Sequence, residues 1–218
     1  MKKTAVTVSV LALLMLLTIA TPVFAEKPTV VPCRFTMVGA SFAGVSPGKV
    51  WWTDDNTILH VRGARANGLL FISPTVQIGT MENVVDLDYN KQTGKGNAVE
   101  TWQMTFIAPV NYYTGQPTGT PNPYGLGTLE GITNDKVTSI FGLVTGEGVM
   151  LPGDVTGFLV ATHGTGDFEK AKLSADIIGR PTLLPSPPYP PNEWDEFVYV
   201  GWDGTSPPVP TGVLTFYS

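Results

Sequence analysis

The chain reads as an all-β protein: a single antiparallel β-barrel or barrel-like sandwich of roughly eight to twelve strands, with a Pro-rich C-terminal strap. Three observations predict this. Short runs of branched and aromatic residues recur along the chain, separated by turn residues such as Asp54-Asp55-Asn56 and Pro152-Gly153-Asp154. Only 14% of the 218 residues are charged, against 24 glycines and 19 prolines, a balance that suits strands and turns. Ala98 to Ile107 shows the period of two expected of a sheet with one buried side.

The chain opens with Lys2 and Lys3, an apolar run from Val8 to Ile19, and Thr21-Pro22-Val23-Phe24-Ala25. This is the pattern of a secretory signal peptide cut after Ala25. The apolar run falls short of the roughly 20 residues that cross a bilayer. Residues 1–25 are therefore expected to be removed, leaving 26–218 as one secreted or extracytoplasmic domain with no membrane span. Losing Lys2 and Lys3 leaves 11 basic against 18 acidic residues, a net charge of −7. Such an acidic chain without a basic cluster argues against nucleic acid or anionic membranes as partners.

Cys33 is the single cysteine, so no disulfide can form within the chain. It is either a buried thiol or one half of a bridge between two copies. There is no Asn-X-Ser/Thr sequon.

The first strands expected are Arg34 to Val38, Lys49 to Thr53 and Thr57 to Arg62, the last two joined as a hairpin. His60 falls on the outward parity with no second ligand-type residue at metal spacing, and reads as a surface histidine. Asn67 to Ser73 and Asn83 to Tyr89 follow. Asp86, Asp88 and Asn90 imitate the start of a calcium loop, but Lys91 replaces the glycine and Asn97 the glutamate that such a loop needs. No metal site or cofactor is expected.

In the strand Ala98 to Ile107, Trp102, Met104 and Phe106 share one face, and Glu100 has the same parity. A carboxylate facing inward is costly, so Glu100 stands either hydrated at the strand end or at the mouth of an interior cavity with a raised pKa. Asn111 to Pro123 is a long loop across a surface or a barrel end. Its tyrosines either cover a ligand or pin the loop to the core.

Thr128 to Thr133, Val137 to Val144 and Val155 to Thr162 form a meander, with Asn134-Asp135 read as the first turn. His163 shares parity with Leu159 and Ala161. Gly164-Thr165-Gly166-Asp167-Phe168 then turns the chain into a strand from Phe168, with a bulge near Glu169 or Lys170. This segment, with Ala171, resembles the glycine-rich G-T/S-G-x-F-x-x-A segment of the dirigent and allene oxide cyclase barrels. The resemblance covers about a dozen residues and implies an eight-stranded antiparallel barrel holding an apolar molecule, in a superfamily where trimers are common. Leu173 stands where those families usually carry another glycine, and their catalytic acidic or arginine residues have no counterpart here.

The Pro-rich stretch 181–195 reads as an extended strap, and 196–218 as two terminal strands that pair with each other and with the sheet or a partner subunit. Three functions follow. The first is binding of an apolar or amphipathic small molecule inside the barrel, with Glu100, Trp102, Met104, Phe106, His163 and Phe168 as the lining. The second is an isomerase or cyclase in the same interior with Glu100 as acid or base. The third is a non-catalytic extracellular or envelope-associated structural or interaction protein with a filled core and no ligand, associating through the Pro-rich strap and the last strands. An interior filled by side chains would favour the third.

Overall fold

The computed structural model describes residues 27–39, 48–138, 154–183, 194–202 and 211–217; for 180–183 and 194–197 it describes the backbone alone. Among the described residues eleven strands form one sheet: β1 Thr29–Cys33, β2 Phe35–Gly39, β3 Lys49–Trp52, β4 Ile58–Ser73, β5 Val76–Asn90, β6 Lys95–Asn111, β7 Gly127–Val137, β8 Val155–Gly164, β9 Ala171–Leu183, β10 Trp194–Val200 and β11 Gly212–Phe216. The expected all-β barrel is what the chain forms. Strands β2, β4, β5, β6, β7, β8, β9 and β10 close a ring of eight antiparallel strands, β10 returning to β2. Outside the ring, β3 pairs with β4, β11 with β9, and β1 with β11. Closure satisfies the backbone of every ring strand against a neighbour and leaves β1 as an edge, where Pro32 needs no donor.

Several elements differ from expectation. The two runs Thr57 to Arg62 and Asn67 to Ser73 are one 16-residue strand, because Gly63 takes a positive φ in a bulge and the ladder to β5 resumes at Ala64. Asn134-Asp135 is not a turn: both residues continue β7 to Val137. The chain from Phe168 is not strand either, since Gly166–Phe168 is a 3-10 turn and β9 begins at Ala171. Pro181 to Leu183 extends β9 against β10, which shortens the strap; residues 184–193 lie outside the described residues, as do 139–153 with the run to Val144. The terminal strands do not pair with each other but with β9 side by side, β10 with its second half and β11 with its first.

The inward faces form two apolar clusters. One gathers Phe35, Met37, Leu70, Ile78, Met81, Trp102, Met104, Phe106, Leu129, Leu159 and Phe168 with their neighbours; the other gathers Leu59, Val61, Ala64, Val85, Leu87, Tyr89, Ala98 and Val137. The first is closed at its outer end by rings in contact. Phe106 lies 5.0 Å from Phe168, 5.9 Å from Phe35 and 6.3 Å from Tyr124. Tyr124 comes from the long loop and ties it down, its hydroxyl donating to the carbonyl of Arg34 at 2.6 Å. The pinning role expected for that loop's tyrosines thus falls to Tyr124. The glycine-rich turn does the same from the other side. Gly166, at φ 63°, lets Asp167 accept from the Leu126 amide at 2.8 Å while Phe168 drops into the core.

Candidate functional site

Between the two clusters the inward positions change character. Reading across the sheet, they are Ala66 on β4, Asn83 on β5, Glu100 on β6, Thr133 and Asp135 on β7, and Gly157 on β8. This layer puts two carboxyl groups and an amide inside an otherwise apolar barrel. Asn83 is 9% exposed and Asp135 4%, whereas Glu100 keeps part of its surface accessible.

Glu100 sits six residues into the strand by register from Lys95, so the strand-end reading is overturned. Its Oε2 accepts from Asn83 Nδ2 at 2.9 Å, and its carboxyl hydrogen-bonds with that of Asp135. Two ionised carboxylates have no proton to offer each other; one shared proton satisfies both. Burial, the largest influence, raises the pKa of Glu100, with the bonds to Asn83 and Asp135 pulling the other way. Gly157 is the residue that makes room: a β-carbon there would collide with Asp135 Oδ1.

The pair is flanked by two further polar atoms. Asn83 and Trp102 are direct cross-strand partners. Asn83 Oδ1, an acceptor, and Trp102 Nε1, a donor, are both buried with no hydrogen-bond partner among the described residues.

Of the residues expected to line a ligand, Trp102, Met104, Phe106 and Phe168 are brought together, but as packed core with no surface to spare. Glu100 keeps accessible surface beside them. His163 is corrected: a bulge opposite Glu130 and Gly131 breaks the alternation after Ala161, and the imidazole is exposed outside the barrel, 3.1 Å from Thr162 Oγ1. Asp135 and Asn83 were missed. Read as a turn, Asp135 had no face, and Asn83 was the first residue of its expected strand; a strand drawn straight through 134–135 would have put Asp135 inward.

His60 lies on the outer face, as its parity predicts. Its ring stacks on Trp51 at 5.1 Å and its Nδ1 lies 2.6 Å from Asp88 Oδ1, a partner supplied across the ladder rather than along the chain. Arg62 Nη2 donates to the same oxygen at 2.7 Å. Among the described residues no three His, Cys, Asp or Glu side chains gather as metal ligands, and no helix is long and apolar enough to cross a membrane.

No family model, curated protein or solved structure matches the chain.

Proposed function

We propose that the protein is a secreted β-barrel that binds a small amphipathic molecule, its polar group held in the layer of Asn83, Glu100 and Asp135. The observation that carries this is the pair of orphan atoms, Asn83 Oδ1 and Trp102 Nε1, an acceptor and a donor on paired residues. A buried polar atom without a partner costs roughly 1–3 kcal/mol, and a ligand hydroxyl or amine relieves that cost. The filled aromatic end moves the ligand contact away from Phe106 and Phe168 and toward the polar layer, with Trp102 at the boundary. The signal-type N-terminus supports a place outside the cytoplasm. Native mass spectrometry of the protein taken from its own secretory route tests the reading. A mass excess that is lost on denaturation is expected; a clean chain mass would oppose it.

A second reading, association of two copies, has its own support. Val99, Ile132 and Phe158 are each about half exposed on the outer face of β6, β7 and β8; Val99 and Phe158 flank Asn134 on one rung, and Ile132 lies two residues along β7 from it. If that face carries a self-association, Ile132→Lys with Phe158→Lys lowers the solution mass to that of one chain; an unchanged mass removes the reading.

A further inference from the structure

We infer that the outer face of β3, β4 and β5 binds a β-linked oligosaccharide of gluco type, one sugar ring lying on the indole of Trp51 and its hydroxyls meeting Asp88, Arg62 and Lys49. The site is outside the barrel and does not depend on the interior binding proposed above. It is built on β3, the short strand that stands outside the ring and pairs with β4 alone among the described residues. Register sets Trp51 beside His60 and Lys49 beside Arg62, and β5 sets Asp88 opposite His60. With about 4.8 Å between strands and about 7 Å between like-facing residues of one strand, this block measures roughly 10 by 7 Å, room for a sugar ring and its hydroxyls.

The polar groups of the block are held in place. The imidazole of His60 stacks on Trp51 at 5.1 Å, and its Nδ1 lies 2.6 Å from Asp88 Oδ1. Arg62 donates from Nη1 to the carbonyls of Val61 and Leu87, at 2.7 and 2.9 Å, and from Nη2 to Asp88 Oδ1 at 2.7 Å. Groups fixed before a ligand arrives lose little freedom when it binds. They nevertheless remain within its reach. Trp51 is 37% exposed, and the side chains of Arg62 and Asp88 are 38% and 50% exposed. Both bonds to Asp88 fall on Oδ1, which leaves Oδ2 to accept from a ligand. Lys49 is exposed and brings its ammonium to 4.9 Å from the centre of the Trp51 ring.

A gluco-configured ring in the β form carries its hydroxyls around the rim and presents only axial C–H bonds on its flat faces. Those C–H bonds suit the electron-rich face of an indole, and each rim hydroxyl both donates and accepts. The block answers both demands: Trp51 supplies the apolar plane, Asp88 Oδ2 accepts, and Arg62 and Lys49 donate. Charged ligands fit it less well. An anion meets Asp88 and Asp86, whose Oδ1 already accepts from the Gly63 amide at 2.8 Å, and an organic cation meets Lys49 and Arg62. His60 stacks from the side of β4, so the sugar takes the opposite face of Trp51, where no described strand follows β3. Lys49, on its flexible stem, swings to the rim of the sugar.

The test is a titration of the isotope-labelled protein with cellotetraose, followed by proton–nitrogen NMR at the indole N–H of Trp51, a signal assigned by its loss in Trp51→Phe. Sorbitol is the control, having hydroxyls but no ring face. Cellotetraose is expected to shift the Trp51 signal saturably, and sorbitol to leave it in place. With the backbone amides of His60 and Arg62 as reporters, Trp51→Ala and Asp88→Ala should each weaken cellotetraose by about tenfold, the scale of one lost charge-assisted hydrogen bond or ring contact, while Trp51→Phe keeps most of the affinity. Circular dichroism confirms that each variant is folded, and Asp88→Ala, a change at an exposed side chain, serves if Trp51→Ala is not. No saturable shift with cellotetraose, or an equal shift with sorbitol, overturns the inference. Binding that survives both Trp51→Ala and Asp88→Ala places the sugar elsewhere and overturns it as well.

Discussion

Glu100 and Asp135, on neighbouring strands and two rungs apart in register, hydrogen-bond carboxyl to carboxyl inside the barrel. Asn83 holds one end of this pair through Glu100 Oε2, and Gly157 leaves the space for the other. The apolar clusters on both sides keep the local dielectric low, so retaining one proton is cheaper than ionising both acids.

Stability should carry this signature. Burial raises the pKa of Glu100 above its ordinary value of 4.5, so the folded chain holds a proton that the unfolded chain releases. The contribution is fully present below 4.5 and is lost as pH rises through the folded value. Glu100→Gln is expected to remove that dependence and to gain roughly 1–3 kcal/mol above it. Urea denaturation of both proteins at pH 4 and pH 8 measures this, and a variant less stable at pH 8 would contradict it.

Gly157→Ala should disturb the layer without replacing an acid. The new methyl group falls on Asp135 Oδ1, and overpacking of this kind costs about 1–3 kcal/mol. A lower melting temperature is expected. An unaffected melting curve would mean that Asp135 does not lie where the register places it.

Cys33 is 1% exposed and burial pushes its thiol up to about 12. It is expected to resist iodoacetamide at pH 8 in the folded protein and to react readily in urea. Rapid labelling of the native chain would instead place it at a surface able to bridge two copies.

On the outer face, burial tends to raise the pKa of Asp88, but hydrogen bonds from His60 and Arg62 outweigh it and lower the value. Its contribution is therefore present above the ordinary carboxylate range and is lost as pH falls through the lowered value. Because the group is half exposed, Asp88→Ala should cost under about 1 kcal/mol. The clearer readout is the emission of Trp51, which loses the imidazole's anchor. Unchanged emission would show that the stack stands without Asp88.

Much of the barrel was legible from alternation alone. Trp102, Met104 and Phe106 point inward as their spacing requires, and the breaks at Asp54-Asp55-Asn56 and Lys91 to Gly94 are turns in the fold. What alternation could not supply is pairing. Asn134-Asp135 has turn composition yet lies in a ladder between β6 and β8, which overrides local preference. With that strand cut short, the partner of Glu100 was invisible, and an acid on an aromatic face stood without explanation. His60 and Asp88 show the same limit, being 28 residues apart in sequence and directly opposite in the sheet. His163 failed for a different reason: a single bulge reverses every face beyond it.

The most direct measurement is the titration of the Glu100 carboxyl itself, by carbon NMR of protein labelled at glutamate side-chain carboxyls, with Glu100→Gln identifying the signal. A midpoint above 4.5 that moves when Asp135 is replaced by Asn is expected of a proton shared between the two acids. A midpoint at or below 4.5, unaffected by that replacement, would mean that Glu100 is an ordinary solvated glutamate and that the interior layer is not the site described.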